Sequence, residues 1–194
     1  FDKDKATRSE LDRSITVIAH ELAHMWFGDL VTMKWWDGIW LNEAFASLME
    51  VIASYNTYPE FKQWNAMNMS RTAGFSIDSL ENSRPVEFDV ETPDQAEEMF
   101  DVLTYEKGST VLRMFQMFIG EEAFQNGVEA YLNKFKFENT NSSDLWDALS
   151  EASNQPLNKI LPFWIREKGY PFLQVDCSNN FLTIKQKPFL LKNV

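Results

Sequence analysis

His20-Glu21-Leu22-Ala23-His24 is the stretch on which the reading of this chain turns. Two histidines four residues apart in a helix lie one turn apart on the same face, so their imidazole nitrogens can converge on one ion. The glutamate between them cannot comfortably ligate that ion, but it can reach a water held beside it. The chain has two histidines in all, and both fall here. The same pattern also occurs in helices whose histidines are only solvated, so the flanking sequence decides.

Outward from the motif, Ile15, Ile18, Ala19, Leu22 and Trp26 recur at helical spacing, which predicts a helix over about 12–27 with one buried stripe. Ser9 or Asp12 is available as its cap, and Gly28 suits a left-handed stop. A catalytic zinc takes three protein ligands and keeps a fourth position for water. Glu43 answers that need, with eighteen residues between it and His24, in Trp40-Leu41-Asn42-Glu43-Ala44-Phe45-Ala46. The stretch from Leu30 to Trp40 reads as extended chain and turn. A second helix is expected from Asn42 as N-cap, with Phe45, Leu48, Met49 and Ile52 inward, and an antiparallel helix pair would carry the carboxylate to the histidines. A glutamate early in a helix can also serve only its dipole, which leaves a plain structural reading open.

Zinc lowers the pKa of its bound water to about 7, so Glu21 would act as general base and later return the proton to the leaving nitrogen. The oxygen that gains charge needs a hydrogen-bond donor, for which a tyrosine hydroxyl is suited.

The rest of the chain reads as mainly α. Pro59 opens a third helix carrying Phe61, Trp64 and Met67, and Arg84 ahead of Pro85 is extended. Thr92-Pro93-Asp94-Gln95 is a helix start with its own cap. Further helices are expected over about 102–119, 121–133, 143–153 and 156–168, the last containing Pro162 and stopped by Gly169. After Tyr170-Pro171 two alternating runs, 172–176 and 181–187, flank Ser178-Asn179-Asn180, which predicts a β-hairpin opening another domain. The aromatic cluster Trp26, Phe27, Trp35, Trp36 and Trp40 is expected to be packing.

A net charge of −11 argues against a phosphate-binding surface and so against nucleic acid as a partner. Charged and polar residues interrupt every apolar run, so no membrane span is expected. The lone Cys177 cannot form an intrachain disulfide, which suits a reducing, cytoplasmic location. The opening residues carry neither an initiator Met nor a signal-peptide core, which is expected of a piece of a longer protein.

The run from Ile18 through His20-Glu21-Leu22-Ala23-His24 to Thr32, with Trp35-Trp36 and Trp40-Leu41-Asn42-Glu43, resembles the zinc-binding segment of the M1 family of aminopeptidases, the gluzincins. Tyr105-Glu106-Lys107-Gly108 is similar to that family's Tyr-x-Lys-Gly, and Leu145-Trp146 and Gly169-Tyr170-Pro171 follow in the family's order. Within that family the chain also looks like the puromycin-sensitive aminopeptidases and the tricorn-interacting factors. The resemblance implies a thermolysin-like helical catalytic domain, its C-terminal portion over 1–170, and the first strands of a small β-sandwich domain over 171–194. It implies one Zn2+ per chain held by His20, His24 and Glu43, with Glu21 and Tyr105 catalytic. Tyr105 would stabilise the tetrahedral intermediate. Without the resemblance Tyr105 reads as a packing tyrosine.

Two departures stand out, Met25 for the usual Gln and Ala44 for the usual Gly; both bear on pocket shape and neither removes a ligand. The family's upstream Gly-x-Met-Glu-Asn, whose glutamate holds the substrate's amino group, is not within these 194 residues. The expected activity is removal of N-terminal residues from peptides with a free N-terminus, and the stretch alone is expected to be inactive. Contacts to upstream and downstream domains of the parent protein are also expected. A thermolysin-like endopeptidase and a catalytically degenerate binding or scaffold member are the alternatives.

Overall fold

Thr7 opens the first helix, α1 (Arg8–Ala23): its hydroxyl accepts the Glu10 N–H while the Glu10 carboxylate accepts the Thr7 N–H, a reciprocal cap. The computed structural model describes residue 2 and residues 5–178 and 180–191. α1 therefore begins before the Ser9 or Asp12 caps that the sequence offered, because Thr7 has the glutamate three residues on. After α1 the chain turns at Gly28, with φ +138°, and runs through strand β1 (Thr32–Met33) and a 3-10 turn, Trp36–Gly38.

Helix α2 (Ile39–Thr57) starts at Gly38 and not at Asn42. The 3-10 turn feeds directly into it, and burial of Trp40 and Leu41 is secured by extending the helix backwards. Asn42 ends up inside the helix and buried. The Trp40 indole donates to Glu87 Oε2 at 2.8 Å. Glu87, itself buried, also accepts from Ser142 Oγ at 2.6 Å and from the Arg166 guanidinium at 2.6 and 3.1 Å. One carboxylate thus fixes the start of α2 against the far end of the chain.

Pro59–Phe61 is an isolated 3-10 turn, and α3 (Gln63–Asp78) follows a left-handed Lys62, so the third helix begins later than Pro59. α4 (Pro93–Glu98) carries the Thr92–Gln95 cap as expected. The segment read as one helix over 102–119 is two: a wide π-helical turn, Leu103–Lys107, runs into α5 (Gly108–Ile119). Gly120, with φ +89°, ends α5, and α6 (Glu121–Phe135), α7 (Ser142–Ser153) and α8 (Leu157–Ile165) follow. Strand β2 (Asn139–Thr140) pairs parallel with β1.

With eight α-helices among the described residues, the fold is mainly α, and it ends in an antiparallel hairpin, β3 (Tyr170–Ser178) and β4 (Phe181–Phe189). Asn179 of the expected turn and residues 192–194 lie outside the described residues. No helix among the described residues is long and apolar enough to cross a membrane.

The core gathers Leu41, Phe45 and Leu48 of α2 with Val111, Leu112 and Phe115 of α5 and Leu145, Leu149, Leu157 and Leu161 behind them. Phe27, just after α1, stacks on Phe45 at 4.0 Å between ring centroids, tying the end of the histidine helix to α2. The expected α1 stripe is not buried: Ile18, Leu22 and Trp26 are each at least half exposed and line an open groove with Met49 and Ile52. Val128 and Leu132 of α6 form part of the wall of the same groove. Trp35 and Trp36 of the aromatic cluster are likewise exposed, while Phe27 and Trp40 are core.

Candidate metal centre

His20 and His24 project from the last turn and the C-cap of α1 onto the first turns of α2. His20 Nε2 lies 3.3 Å and His24 Nε2 3.4 Å from the same oxygen of Glu43. His20 also meets Glu50, further along α2, while His24 meets Glu43, so the two helices pass in opposite senses at this point. The three donor atoms lie within 4.8 Å of one another.

The donors suit zinc on two counts. Atoms held about 2.0–2.1 Å from a tetrahedral zinc stand about 3.3–3.4 Å apart, the separation of each imidazole nitrogen from the carboxylate oxygen. Each ring is also fixed from behind. His20 Nδ1 is 2.9 Å from Glu50 Oε2, and His24 Nδ1 is 2.9 Å from the Phe27 carbonyl. Both partners only accept, so each Nδ1 carries a proton and a neutral ring presents the lone pair of Nε2 to a metal.

Gly28 permits the second of these contacts. A Cβ there would lie 3.3 Å from the His24 carbonyl and 3.6 Å from His24 Nδ1, at a φ that side chains rarely adopt.

In the metal-free chain the cluster is held by shared protons. Burial works against a charged His20, but the hydrogen bonds and charges of Glu43 and Glu50 outweigh it and raise its pKa to about 9. The hydrogen bond to Glu43 raises His24 as well. Burial would push Glu43 upward, yet hydrogen bonds from His20, His24 and Tyr105 prevail and lower it to about 2.

Tyr105 stands in the π-helical turn, its ring 6.0 Å from that of His20 and its hydroxyl close enough to Glu43 for the two to act on each other. Burial, then the charge of Glu43 and its hydrogen bond, then the charge of Glu21, raise the Tyr105 pKa well above its ordinary value. The phenol therefore stays protonated and available as a donor. Glu21 is solvent-exposed on α1, close enough for its charge to act on Tyr105. His20, His24, Glu43 and Tyr105 are thus brought together, while Glu21 stands at the solvent side of α1.

The approach of the Tyr105 turn to Glu43 depends on Gly108. A Cβ at that position would stand 2.8 Å from the Ala44 Cβ and 3.4 Å from the Trp40 ring. Ala44 is fully buried at this crossing of α2 and α5, so its departure from the family's glycine concerns helix packing. Lys107 secures the far end of the turn: its ammonium lies 2.9 and 3.0 Å from the Asp78 carboxylate and donates to the carbonyls of Glu167 and Gly169. Asp78 Oδ1 in turn accepts the Gly169 N–H at 2.8 Å.

Sequence reasoning missed Glu50 and Asp78. Glu50 follows Glu43 by two helical turns and shares its face, a spacing that could have found it. Asp78 has no local signature. A small cavity of about 200 Å³ beside the cluster is lined by His20, Glu50, Tyr105 and Glu106, while a cavity of about 790 Å³ between α3, α5 and β3 touches none of the three candidate ligands.

Known proteins share this stretch. Aminopeptidase M1-A of Oryza sativa subsp. japonica is 40% identical over 190 residues, 98% of this chain and 22% of its own length. Puromycin-sensitive aminopeptidase of Caenorhabditis elegans is 41% identical over 97% of this chain and 20% of its own. Tricorn protease-interacting factor F2 of Thermoplasma volcanium is 42% identical over 97% of this chain and 24% of its own. The chain spans between a fifth and a quarter of these relatives. The Peptidase family M1 domain matches residues 1–164, a span that takes in His20, Glu21, His24, Glu43 and Tyr105, and the chain accordingly belongs to peptidase family M1.

Proposed function

We propose that the protein to which this chain belongs is a zinc aminopeptidase that removes N-terminal residues from peptides. What carries the reading is one convergence: two imidazole Nε2 atoms and the Tyr105 hydroxyl all address the Glu43 carboxylate. His20, His24 and Glu43 would hold one Zn2+, which when bound acts as a Lewis acid and brings the pKa of a coordinated water to about 7. Glu21, exposed between the two histidines, takes the proton of the attacking water and returns it to the departing amine. Tyr105, kept protonated, donates a hydrogen bond to the peptide oxygen as that oxygen gains charge.

Residues 1–170 form the C-terminal portion of a thermolysin-like catalytic domain in this reading, and 171–194 open a β-sandwich. The substrate's free amino group is held by parts of the longer protein outside this stretch, and peptides with a free N-terminus are the partners. The exposed Cys177 is compatible with a cytoplasmic location.

The test uses the full-length protein with matched peptides, one set N-terminally acetylated and one free. Selective cleavage of the free set is expected; equal cleavage of both would make the enzyme an endopeptidase. Metal analysis should find about one zinc per chain, and its absence would remove the centre altogether. Glu21→Gln should keep the metal and lose turnover, and normal hydrolysis by that variant would refute the assigned base. The 194 residues alone should hydrolyse peptides poorly or not at all.

A further inference from the structure

The π-helical turn that carries Tyr105 is secured at its near end by Asp101. The Asp101 carbonyl accepts the Tyr105 N–H at 3.2 Å, and Asp101 Oδ1 accepts the N–H groups of Leu103 at 2.9 Å and Thr104 at 3.1 Å. That same oxygen lies 2.6 Å from Nη2 of Arg84, which comes from the loop before α4. Arg84 also reaches Thr104 Oγ1 at 3.2 Å, the carbonyls of Glu98 and Met99 at the end of α4, and the Pro85 carbonyl at 2.7 Å. Its guanidinium carbon stands 5.2 Å above the Phe88 ring. The Arg84 side chain is 19% exposed.

These contacts form a bracket rather than a surface ion pair. One planar, multiply donating cation joins a loop, a helix end and the first residues of the Tyr105 turn, a task for which a lysine ammonium has the wrong shape. A π turn departs from the hydrogen-bond register of the helix around it, so its geometry rests more on outside partners than an α turn does. The Arg84 partners belong to the loop, α4 and this turn, and none is a member of the His20, His24 and Glu43 cluster.

We infer that Arg84 is a positioning residue for Tyr105: through Asp101 it sets the angle at which the tyrosine hydroxyl meets the zinc cluster. The inference rests on Tyr105 being the oxyanion donor of the proposed function. Charge pairing between Arg84 and Asp101 keeps Oδ1 oriented toward the Leu103 and Thr104 amides, and those amides fix the first turn leading into Tyr105. Loss of the guanidinium frees the Asp101 side chain to turn toward solvent, and the hydroxyl loses its alignment while the metal ligands keep theirs.

The experiment is a double-mutant cycle in the full-length, zinc-loaded protein. Arg84→Met should lower kcat by about 10- to 100-fold, the scale on which misplacing a catalytic group acts, with KM and zinc content little changed. Arg84→Lys should recover part of the loss. In a Tyr105→Phe background, adding Arg84→Met should lower kcat by less than about twofold, since the group it positions is gone. Additive losses, or an Arg84→Met enzyme at full kcat, would overturn the inference.

Should Arg84→Met fail to fold, Asp101→Asn reads the same quantity. It keeps an oxygen for the two amides and removes the charge that faces Arg84, and the same non-additivity with Tyr105→Phe is expected. Additivity there is equally fatal. A Tyr105→Phe enzyme at full kcat would instead refute the oxyanion reading, a result distinct from failure of the Arg84 variants.

Discussion

Glu50 Oε2 stands 2.9 Å from Nδ1 of His20, two helical turns along α2 from the carboxylate that meets the opposite nitrogen of the same ring. One helix thus supplies both a candidate ligand and the group that orients another ligand. Outer partners of this kind typically govern metal affinity by about 10- to 100-fold. Glu50→Ala should weaken zinc binding by that factor, read by competition with a chelator of known affinity. Unchanged affinity would make Glu50 a bystander.

The metal-free cluster should resist zinc by holding protons. His20 is raised to about 9, above its ordinary range, so its proton is fully held below about pH 6.5 and lost as the pH rises through 9. The stability this proton lends the metal-free fold follows the same window, present at pH 6.5 and gone above 9. Zinc needs the neutral ring, so at pH 7 binding should release about one proton per ion from His20, falling toward none above pH 9. Calorimetry in buffers of different ionisation enthalpy counts these protons, and zero release at pH 7 would contradict the shared-proton picture.

At the crossing of α2 and α5, Gly108→Ala should destabilise the chain by about 1–2 kcal/mol, because overpacking outweighs the small gain in helix propensity. The obstructing atom is the Ala44 Cβ, at 2.8 Å. Ala44→Gly should therefore partly rescue Gly108→Ala, giving a double variant more stable than the sum of the single changes. Denaturant unfolding of the four proteins decides it, and strict additivity would mean that the contact is absent.

Lys107→Met should cost about 3–5 kcal/mol, since it strands the Asp78 carboxylate in a site where both side chains are buried. Adding Asp78→Leu should return much of that loss. If Lys107→Met unfolds at the wild-type denaturant concentration, the pair contributes nothing to the join between the Tyr105 turn and β3.

His20 and His24 could be singled out because a four-residue spacing within one helix sets two imidazoles on one face, and the structure brings them within reach of Glu43 on the next helix. Tyr105 was legible by resemblance alone, since neither its helical neighbourhood nor its composition marks it. The beginning of α2 misled because Asn42 is a strong cap by local preference, while burial of Trp40 and its bond to Glu87 draw the helix back to Ile39. The α1 stripe misled in the opposite way: its periodicity is real, but in this stretch it faces an open groove. Glu87, Asp78 and Arg84 were invisible, because each works through partners from distant segments that no local pattern brings together.

The wide turn at Leu103–Lys107 separates two rhythms that a continuous helix would lock together. Residues from Gly108 onward keep the spacing that seats Val111, Leu112 and Phe115 in the interior, while Tyr105 is set on its own bearing. In an α-helix each residue advances the bearing by about 100°, so removing one residue between Asp101 and Gly108 would leave the interior spacing intact and swing the phenol away from the histidines. The interior and the neighbourhood of His20, His24 and Glu43 can therefore drift independently in sequence, provided that the count of residues across this turn is preserved.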